Sequence, residues 1–188
     1  MVWPPSLECA HNRWVDGVHY STVFMMRVLD TAALLHWPAD ELAGGICSES
    51  QRQEIERISP QRSLLVFALD IDWRQVPVKW LTNARKVAAE SGDLPRLSNV
   101  DLDVLALALG LDLPLFTDDY RLQNIMRSAD KITSSVDTQG AKQVWKWELR
   151  CTGCRVKTSV PDDVDRSKSG PVKDCDICGS PMMLKKVK

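Results

Sequence analysis

The fold is decided by the stretch Arg27-Val28-Leu29-Asp30-Thr31-Ala32, a short apolar run that ends in a carboxylate and a hydroxyl. This run predicts a strand near residues 27–30, followed by a loop and a helical segment. Functional side chains gather at the carboxyl ends of strands in an open parallel sheet, so Asp30 lies where a site would form. A lone Asp at this place would more simply cap the next helix.

The same pattern recurs in Leu115-Phe116-Thr117-Asp118-Asp119-Tyr120, another short strand that ends in a hydroxyl and acids. Between the two strands, Leu97 to Leu109 predicts an apolar helix with a polar first turn. Ser98 and Asp101 have the spacing of a capping box, which gives Asp101 a structural explanation. Asp101 also lies in the first turn of a buried helix, where its carboxylate points toward the converging strand ends.

Carboxylates gathered at one place require cations. Two unit charges ~4 Å apart repel by about 4 kcal/mol at an effective dielectric constant near 20. Ligand sets made only of oxygen select Mg²⁺ or Mn²⁺ over zinc. The sequence therefore predicts a Mg²⁺ or Mn²⁺ site where these strands end.

The pattern of strands and helices predicts an α/β fold with a mainly parallel sheet flanked by helices. Residues 78–90 have helical periodicity and stop at Ser91-Gly92-Asp93. Strands are expected between the helices, near residues 27–30, 69–73, 114–117 and 130–133.

Composition excludes several classes of protein. Of the 188 residues, 26% are charged and 44% are hydrophobic, which is typical of neither disordered nor collagen-like chains. No apolar run approaches the ~20 residues that a membrane helix needs. The start of the chain also lacks the pattern of a secretory signal, so we expect a cytoplasmic protein.

The formal net charge of −1 conceals two oppositely charged segments. Residues 1–139 carry 13 basic and 19 acidic side chains, whereas residues 140–188 carry 11 and 6. A basic segment next to an acidic one is a candidate nucleic-acid contact. Its candidate RNA-binding residues are Lys146, Arg150, Arg155 and Lys157.

Four of the six cysteines form two C-x-x-C pairs, separated by a 20-residue insert, within the basic segment. Two such turns can complete the closed tetrahedron of a structural zinc site. Two disulfides or a redox pair are weaker alternatives, because a disulfide framework needs an oxidising compartment. The zinc ligands are expected to be Cys151, Cys154, Cys175 and Cys178, and the insert between the pairs is expected to be mobile.

These features divide the chain into four parts. We expect a main domain at 25–136, a linker at 137–143 and a small zinc-bearing module at 144–188. Residues 1–24 have no comparable interpretation: they form either a real extension or the product of a start codon assigned too far upstream.

The motifs around Asp30, Asp101 and Asp119, followed by a cysteine-bearing module, resemble the PIN-domain nucleases. Specifically, the chain resembles the archaeal Nob-one family of ribosomal-RNA maturation endoribonucleases, which combine a PIN domain with a zinc ribbon. The match covers residues 26–188, and its specificity comes from the order of the motifs. The resemblance implies a fourth acid on the helix after the first loop, and Glu54 matches that position. Cys47 and Glu49 depart from the family pattern at the start of that helix.

The resemblance also implies the chemistry. Asp30, Glu54, Asp101 and Asp119 would hold one or two Mg²⁺ or Mn²⁺ ions, with Asp118 second to Asp119 as the last ligand. Thr31, Ser98 and Thr117 would orient these ligands or contact phosphate. The expected reaction is metal-dependent hydrolysis that matures the 3′ end of precursor 16S ribosomal RNA in pre-small-subunit particles, leaving a 5′-phosphate. A toxin-type PIN ribonuclease and an inactive RNA-binding assembly factor remain alternatives.

Overall fold

The computed structural model describes residues 26–136 and 144–187, together with the backbone of short strands at 13–15 and 18–20. The helices in these residues are α1 Thr31–His36, α2 Ala39–Leu42, α3 Ser50–Ile58, α4 Pro60–Phe67, α5 Val78–Ser91, α6 Asn99–Leu111 and α7 Tyr120–Ser128, with a 3₁₀ helix at Leu94–Arg96. The strands are β1 Arg13–Val15, β2 Val18–Tyr20, β3 Arg27–Leu29, β4 Gly45–Ser48, β5 Asp72–Arg74, β6 Leu115–Phe116, β7 Thr133–Ser134, β8 Trp147–Cys151, β9 Lys157–Thr158, β10 Lys173–Asp174 and β11 Pro181–Lys186.

Two of the expected chain segments are largely outside the described residues. Of the expected extension at 1–24, the structure gives the antiparallel pairing of β1 with β2. The expected linker at 137–143 lies wholly outside. The division of the chain at these points stays a prediction.

The main sheet has five strands in the order β5-β4-β3-β6-β7, and every neighbouring pair is parallel. The predicted α/β class with a mainly parallel sheet is confirmed. The chain runs from β3 to β4 on one side, whereas β6 pairs with β3 on the other. The carboxyl ends of β3 and β6 therefore form the switch point at which ligands of such sheets bind.

The expected strand positions omitted β4. Its four residues, Gly-Ile-Cys-Ser, are all buried, whereas the sequence pattern places Cys47 at the start of the following helix. A strand covered on both faces lacks the alternation that reveals an exposed one. The expected strand near 69–73 is β5 at Asp72–Arg74, and the one near 130–133 is β7 at Thr133–Ser134.

Helices α5 and α6 pack against each other, and α6 also contacts the central strands β3 and β4. Helix α5 stops at Gly92, which adopts the left-handed conformation at φ +85°, as the predicted stop indicates. Helix α6 is buried over most of its length, including Leu105 and Leu107. A helix that is apolar on nearly all sides belongs in a core, so its polar first turn is fixed in place.

The second sheet contains the cysteine pairs and is antiparallel, in the order β10-β11-β8-β9. Its buried Leu149 and Met182 join the same apolar core as Leu94 and Met126 of the first part. The insert expected to be mobile is instead held, since the Arg85 guanidinium donates to the carbonyls of residues 162 and 164 at 2.9 and 3.0 Å. In the described parts of the chain, no helix is long and apolar enough to cross a bilayer.

Candidate active site and zinc site

Asp30 joins the ends of the two central strands. It follows β3 directly, and its side chain is 8% exposed. The backbone N–H of Thr31 donates to its Oδ1 at 2.7 Å, and the Thr117 hydroxyl donates to its Oδ2 at 2.6 Å. Asp30 therefore caps α1, as a lone Asp would, and is also bonded to the residue that follows β6.

Electrostatics indicate that three acids face one another. Burial raises the pKa of Asp30 to about 6, although the hydrogen bonds from Thr117 and Thr31 act in the opposite direction. The charges of Asp101 and Asp119 raise it further. Burial also raises the pKa of Asp119, and the Asp101 charge adds to that effect. Nearby negative charge thus makes Asp30 and Asp119 harder to ionise, as expected for carboxylates that share a site suited to a cation.

Glu54 enters the same network through Thr31. The Thr31 hydroxyl donates to Glu54 Oε2 at 2.7 Å, so the residue that follows Asp30 is bonded to the second turn of helix α3. The Arg57 guanidinium is 3.9 Å from Glu54 Oε1, at the limit of an ion pair, and its own side chain is 77% exposed. The position implied by the resemblance thus lies next to Asp30 in the hydrogen-bond network.

Asp101 is held by the predicted capping box at the start of α6. The Ser98 N–H donates to Asp101 Oδ2 at 2.6 Å, and the Asp101 N–H donates to the Ser98 hydroxyl at 3.1 Å. This prediction from spacing is confirmed. The box fixes the carboxylate to a buried helix, so Asp101 has little freedom to turn away from the cluster.

The two consecutive acids after β6 differ in their surroundings. Asp119 caps α7, accepting from the Arg121 N–H at 2.7 Å, and its own N–H donates to the Thr117 hydroxyl at 3.0 Å. Asp118 Oδ1 instead accepts the backbone N–H of Val136 at 3.0 Å. The charge of Asp119 contributes to the raised pKa of Asp30. This geometry favours Asp119 over Asp118 as a member of the cluster.

The carboxylates are less tightly gathered than the cysteines. Within the described residues, the four cysteines are the one group of three or more potential metal ligands that is gathered closely enough to hold an ion, and their sulfur atoms all lie within 4.8 Å of one another. The oxygen-only donor set nevertheless suits Mg²⁺ or Mn²⁺, because Mg²⁺ keeps several waters and needs only one or two direct carboxylates. Asp30, at the centre of the network and buried, is the donor that best fits a direct contact.

Two buried glutamines, for which the sequence alone predicts no role, support the site. Gln51 Nε2 donates to the Leu29 carbonyl at 3.0 Å and to the Thr31 hydroxyl at 3.4 Å. Gln123 Nε2 donates to the Thr117 carbonyl at 2.7 Å. Their sequence signal is position, since both are polar residues on the buried faces of amphipathic helices.

The cysteines form a second, separate site with the geometry expected for zinc. Sγ of Cys151 lies 3.4 Å from that of Cys178, and Sγ of Cys154 lies 3.7 Å from that of Cys175. Hydrogen bonds from Ser180 lower the pKa of Cys178 to about 6, and backbone N–H groups of Cys178 and Ile177 lower that of Cys175. Four cysteine sulfurs at these separations match the donor set of a structural Cys₄ zinc site, whose ligands bind as thiolates.

The basic candidates lie on the cysteine-bearing sheet in differing settings. Arg150 and Lys157 are direct neighbours across β8 and β9, and both pair with Glu148, at 2.8 and 3.5 Å. Lys146 lines a cleft of about 770 Å³ between α5 and this sheet. Arg155 is exposed and has a positive φ of 63° in the first cysteine turn. Exposed ion pairs are weak, so Glu148 leaves both partners able to meet phosphate.

Comparison with known proteins agrees with this geometry. A family model described as the PIN domain of ribonuclease matches residues 28–111. Endoribonuclease Nob1 of Methanothermobacter thermautotrophicus is 29% identical over 175 residues, which cover 88% of this chain and 96% of the relative. Endoribonuclease Nob1 of Methanocaldococcus jannaschii is 28% identical over 175 residues, 92% of this chain and 83% of the relative.

A third relative has a different name. Ribonuclease VapC1 of Thermoplasma acidophilum is 33% identical over 160 residues, which cover 82% of this chain and 75% of the relative. All three relatives are named ribonucleases, and the matched residues 28–111 include most of the strand β3, the strand β4 and the helix α6. The chain is similar to archaeal Nob1 endoribonucleases over most of its length, and it belongs to the PIN-domain ribonucleases.

Proposed function

We propose that this protein is a metal-dependent endoribonuclease that hydrolyses a phosphodiester in precursor small-subunit (16S) ribosomal RNA and so matures its 3′ end. The observation that carries the proposal is the buried Asp30, bonded through Thr31 to Glu54 and through Thr117 to the backbone of Asp119. Its substrate would be found in pre-small-subunit particles in the cytoplasm.

The carboxylates of Asp30, Glu54, Asp101 and Asp119 would hold one or two Mg²⁺ or Mn²⁺ ions. When bound, such ions activate water and neutralise charge on the leaving oxygen during in-line displacement. Thr31 and Thr117 hold Glu54 and Asp30 at fixed positions, which reduces the reorganisation needed during the reaction. The described motifs contain no histidine, in keeping with proton transfer that does not use an imidazole pair.

The bond that breaks determines which chemical groups the two product ends carry. The oxygen of the attacking water forms a bond to phosphorus, the bond from phosphorus to the 3′-oxygen breaks, and that oxygen takes up a proton. One product then carries a 5′-phosphate and the other a 3′-hydroxyl. A 2′,3′-cyclic phosphate would instead indicate attack by the ribose 2′-hydroxyl.

RNA would be bound by the zinc-bearing sheet. Arg150 and Lys157 lie side by side on β8 and β9, and Lys146 and Arg155 are exposed nearby in sequence. Cations in this arrangement contact phosphates without reading sequence. We expect binding to weaken steeply with salt, because each neutralised phosphate releases counterions.

The experiment that tests the proposal is cleavage of precursor small-subunit ribosomal RNA by the zinc-loaded protein with added Mn²⁺, with the product ends mapped. We expect one dominant cut near the 3′ end of the mature RNA and a 5′-phosphate on the downstream fragment. Absence of cutting in saturating Mn²⁺ and in saturating Mg²⁺ would refute it.

A toxin-type PIN ribonuclease is the second candidate, because the relative from Thermoplasma acidophilum is named VapC1. Such an enzyme would share the acids but would act on other RNAs. Supplying transfer RNA and precursor ribosomal RNA in competition separates the two functions. An inactive assembly factor would bind RNA yet show no metal site besides the cysteines.

A further inference from the structure

We propose that Asn124 sets the orientation of the zinc-bearing sheet against the nuclease part, and thereby the distance between RNA held on that sheet and the carboxylates. The second half of this proposal rests on the function proposed above. Asn124 lies on α7, the helix that Asp119 caps, and it is 97% buried at a point where the two parts of the chain meet.

All polar atoms of the Asn124 side chain are used in holding the other part. The Trp145 N–H donates to Asn124 Oδ1 at 2.6 Å, and Asn124 Nδ2 donates to the Trp145 carbonyl at 2.7 Å. The carboxamide thus pairs with one residue as a neighbouring β-strand would. Asn124 Nδ2 also donates a hydrogen bond to Asp93 Oδ2 at 2.6 Å, and this bond sets the orientation of the carboxamide.

Asp93 connects this contact to the segment of chain that leads to Asp101. It is buried, accepts a further hydrogen bond from the Ser91 hydroxyl at 3.0 Å, and precedes the 3₁₀ helix that leads to Ser98. Asp101 belongs to the capping box that begins at Ser98. The Asn124 contact therefore lies along the two segments that present Asp101 and Asp119.

The surrounding contact is close enough to define one orientation. A Cβ placed on Gly92 would lie 2.4 Å from the carbonyl oxygen of Trp147, so the two backbones touch with no room for a side chain. The Ser167 N–H donates to the Pro95 carbonyl at 2.7 Å, and the guanidinium of Arg96 donates back to the Ser167 carbonyl. These contacts hold the sheet at its start and at its long insert.

The functional consequence follows from distance. RNA that contacts Arg150 and Lys157 reaches the carboxylate cluster at a fixed separation only if the sheet keeps one orientation relative to the nuclease part. Loss of alignment between a bound substrate and its reacting groups costs about 10²-fold in rate for a displacement of ~1 Å. Short RNA that binds at the carboxylates alone does not depend on this separation.

The test compares Asn124→Leu with Asn83→Leu, the same change at an exposed position of α5. Residual dipolar couplings measured on the full-length zinc-loaded protein report the relative orientation of the two sheets. We expect one shared alignment tensor for the wild type and for Asn83→Leu, and two different tensors for Asn124→Leu. A single shared tensor in Asn124→Leu would overturn the proposal. Asn124→Ala provides the same test if the leucine variant does not fold.

Cleavage assays test the second half. Asn124→Leu should cut a short single-stranded oligonucleotide at the wild-type rate, but cut precursor ribosomal RNA about 10²-fold more slowly or at shifted positions. Wild-type cleavage of the precursor at the wild-type position would overturn it. If the wild-type protein itself cuts neither RNA, the proposed function fails while the dipolar couplings still decide the role of Asn124.

Discussion

Replacing Asp30 with Asn should make the metal-free protein more stable. In the folded state burial raises the pKa of Asp30 from 3.8 to about 6, so ionising it in place is unfavourable. A shift of about 2 units corresponds to about 3 kcal/mol of lost stability once the group is ionised in both states. Asn removes the charge, keeps an acceptor for the Thr31 N–H, and presents a donor toward the Thr117 hydroxyl.

The sign of this effect depends on pH in a defined way. Below pH 3.8 the carboxyl is protonated whether the chain is folded or unfolded, so the variant gains nothing there. The gain grows through the window between 3.8 and about 6, because the unfolded chain releases its proton first. We expect the variant to exceed the wild type by about 3 kcal/mol at pH 7 and by about half of that at pH 5.

The assay is urea unfolding of zinc-loaded protein in buffers free of Mg²⁺ and Mn²⁺, without a chelator, so that the cysteine site stays intact. Asp70→Asn, at an exposed position, is the control and should change stability by less than about 0.5 kcal/mol. Mn²⁺ at about 100 times its dissociation constant should then stabilise the wild type by about 2.7 kcal/mol and leave Asp30→Asn unchanged. A variant that is less stable than the wild type at pH 7, or a difference that is flat between pH 5 and 7, would refute the reasoning.

The other predictions concern the remaining parts of the two sites. Glu54→Gln should lower the cleavage rate by about 10²-fold in saturating Mn²⁺, whereas Glu56→Gln on the exposed face of the same helix should cut normally. Thr31→Val keeps the volume and removes the hydroxyl that holds Glu54, so we expect about tenfold slower cleavage with unchanged zinc content, measured by single-turnover kinetics. Replacing Cys151 and Cys154 by Ser should abolish zinc binding in metal analysis, remove the amide-exchange protection of the cysteine-bearing sheet and weaken RNA binding; retained protection without zinc would contradict the zinc assignment.

The sequence predicted those features of the fold that depend on local chemistry. The strand at 27–29, the stop of α5 at Gly92 and the Ser98–Asp101 capping box each follow from a few neighbouring residues, and the structure confirms them. The two C-x-x-C pairs also come together as their spacing predicts. The strand, the helix stop and the capping box are predictable because the residues that form each of them are close together in the chain, whereas the two cysteine pairs are predictable because both bind the same kind of ion.

Features that depend on distant partners were missed. The strand β4 is buried on both faces, so its four residues lack the alternation by which a strand is recognised. The roles of Gln51 and Asn124 appear only when the strands and the second sheet are in place, since their partners lie 20 or more positions away. The insert after Cys154 has the composition of a mobile loop, but the Arg85 guanidinium binds its carbonyls. Composition does not reveal a donor supplied by another helix.

The four candidate acids were predicted on two different grounds. Asp30, Asp101 and Asp119 follow from the ends of strands and the start of a helix, and their charges act on one another in the structure. Glu54 lies on a helix rich in charged residues and was reached through the family resemblance. Its hydrogen bond from Thr31 gives it a physical connection to the other acids, which the sequence pattern alone does not provide.

The most direct test of metal-dependent cleavage at this cluster compares Asp101→Asn with Asp103→Asn on precursor small-subunit ribosomal RNA. Both changes remove one charge from α6, and Asn at 101 can still accept the Ser98 N–H, so the capping of the helix is preserved. In saturating Mn²⁺ we expect Asp101→Asn to cut at least about 10²-fold more slowly than Asp103→Asn while binding the RNA equally well. Equal cleavage rates for the two variants would contradict the account.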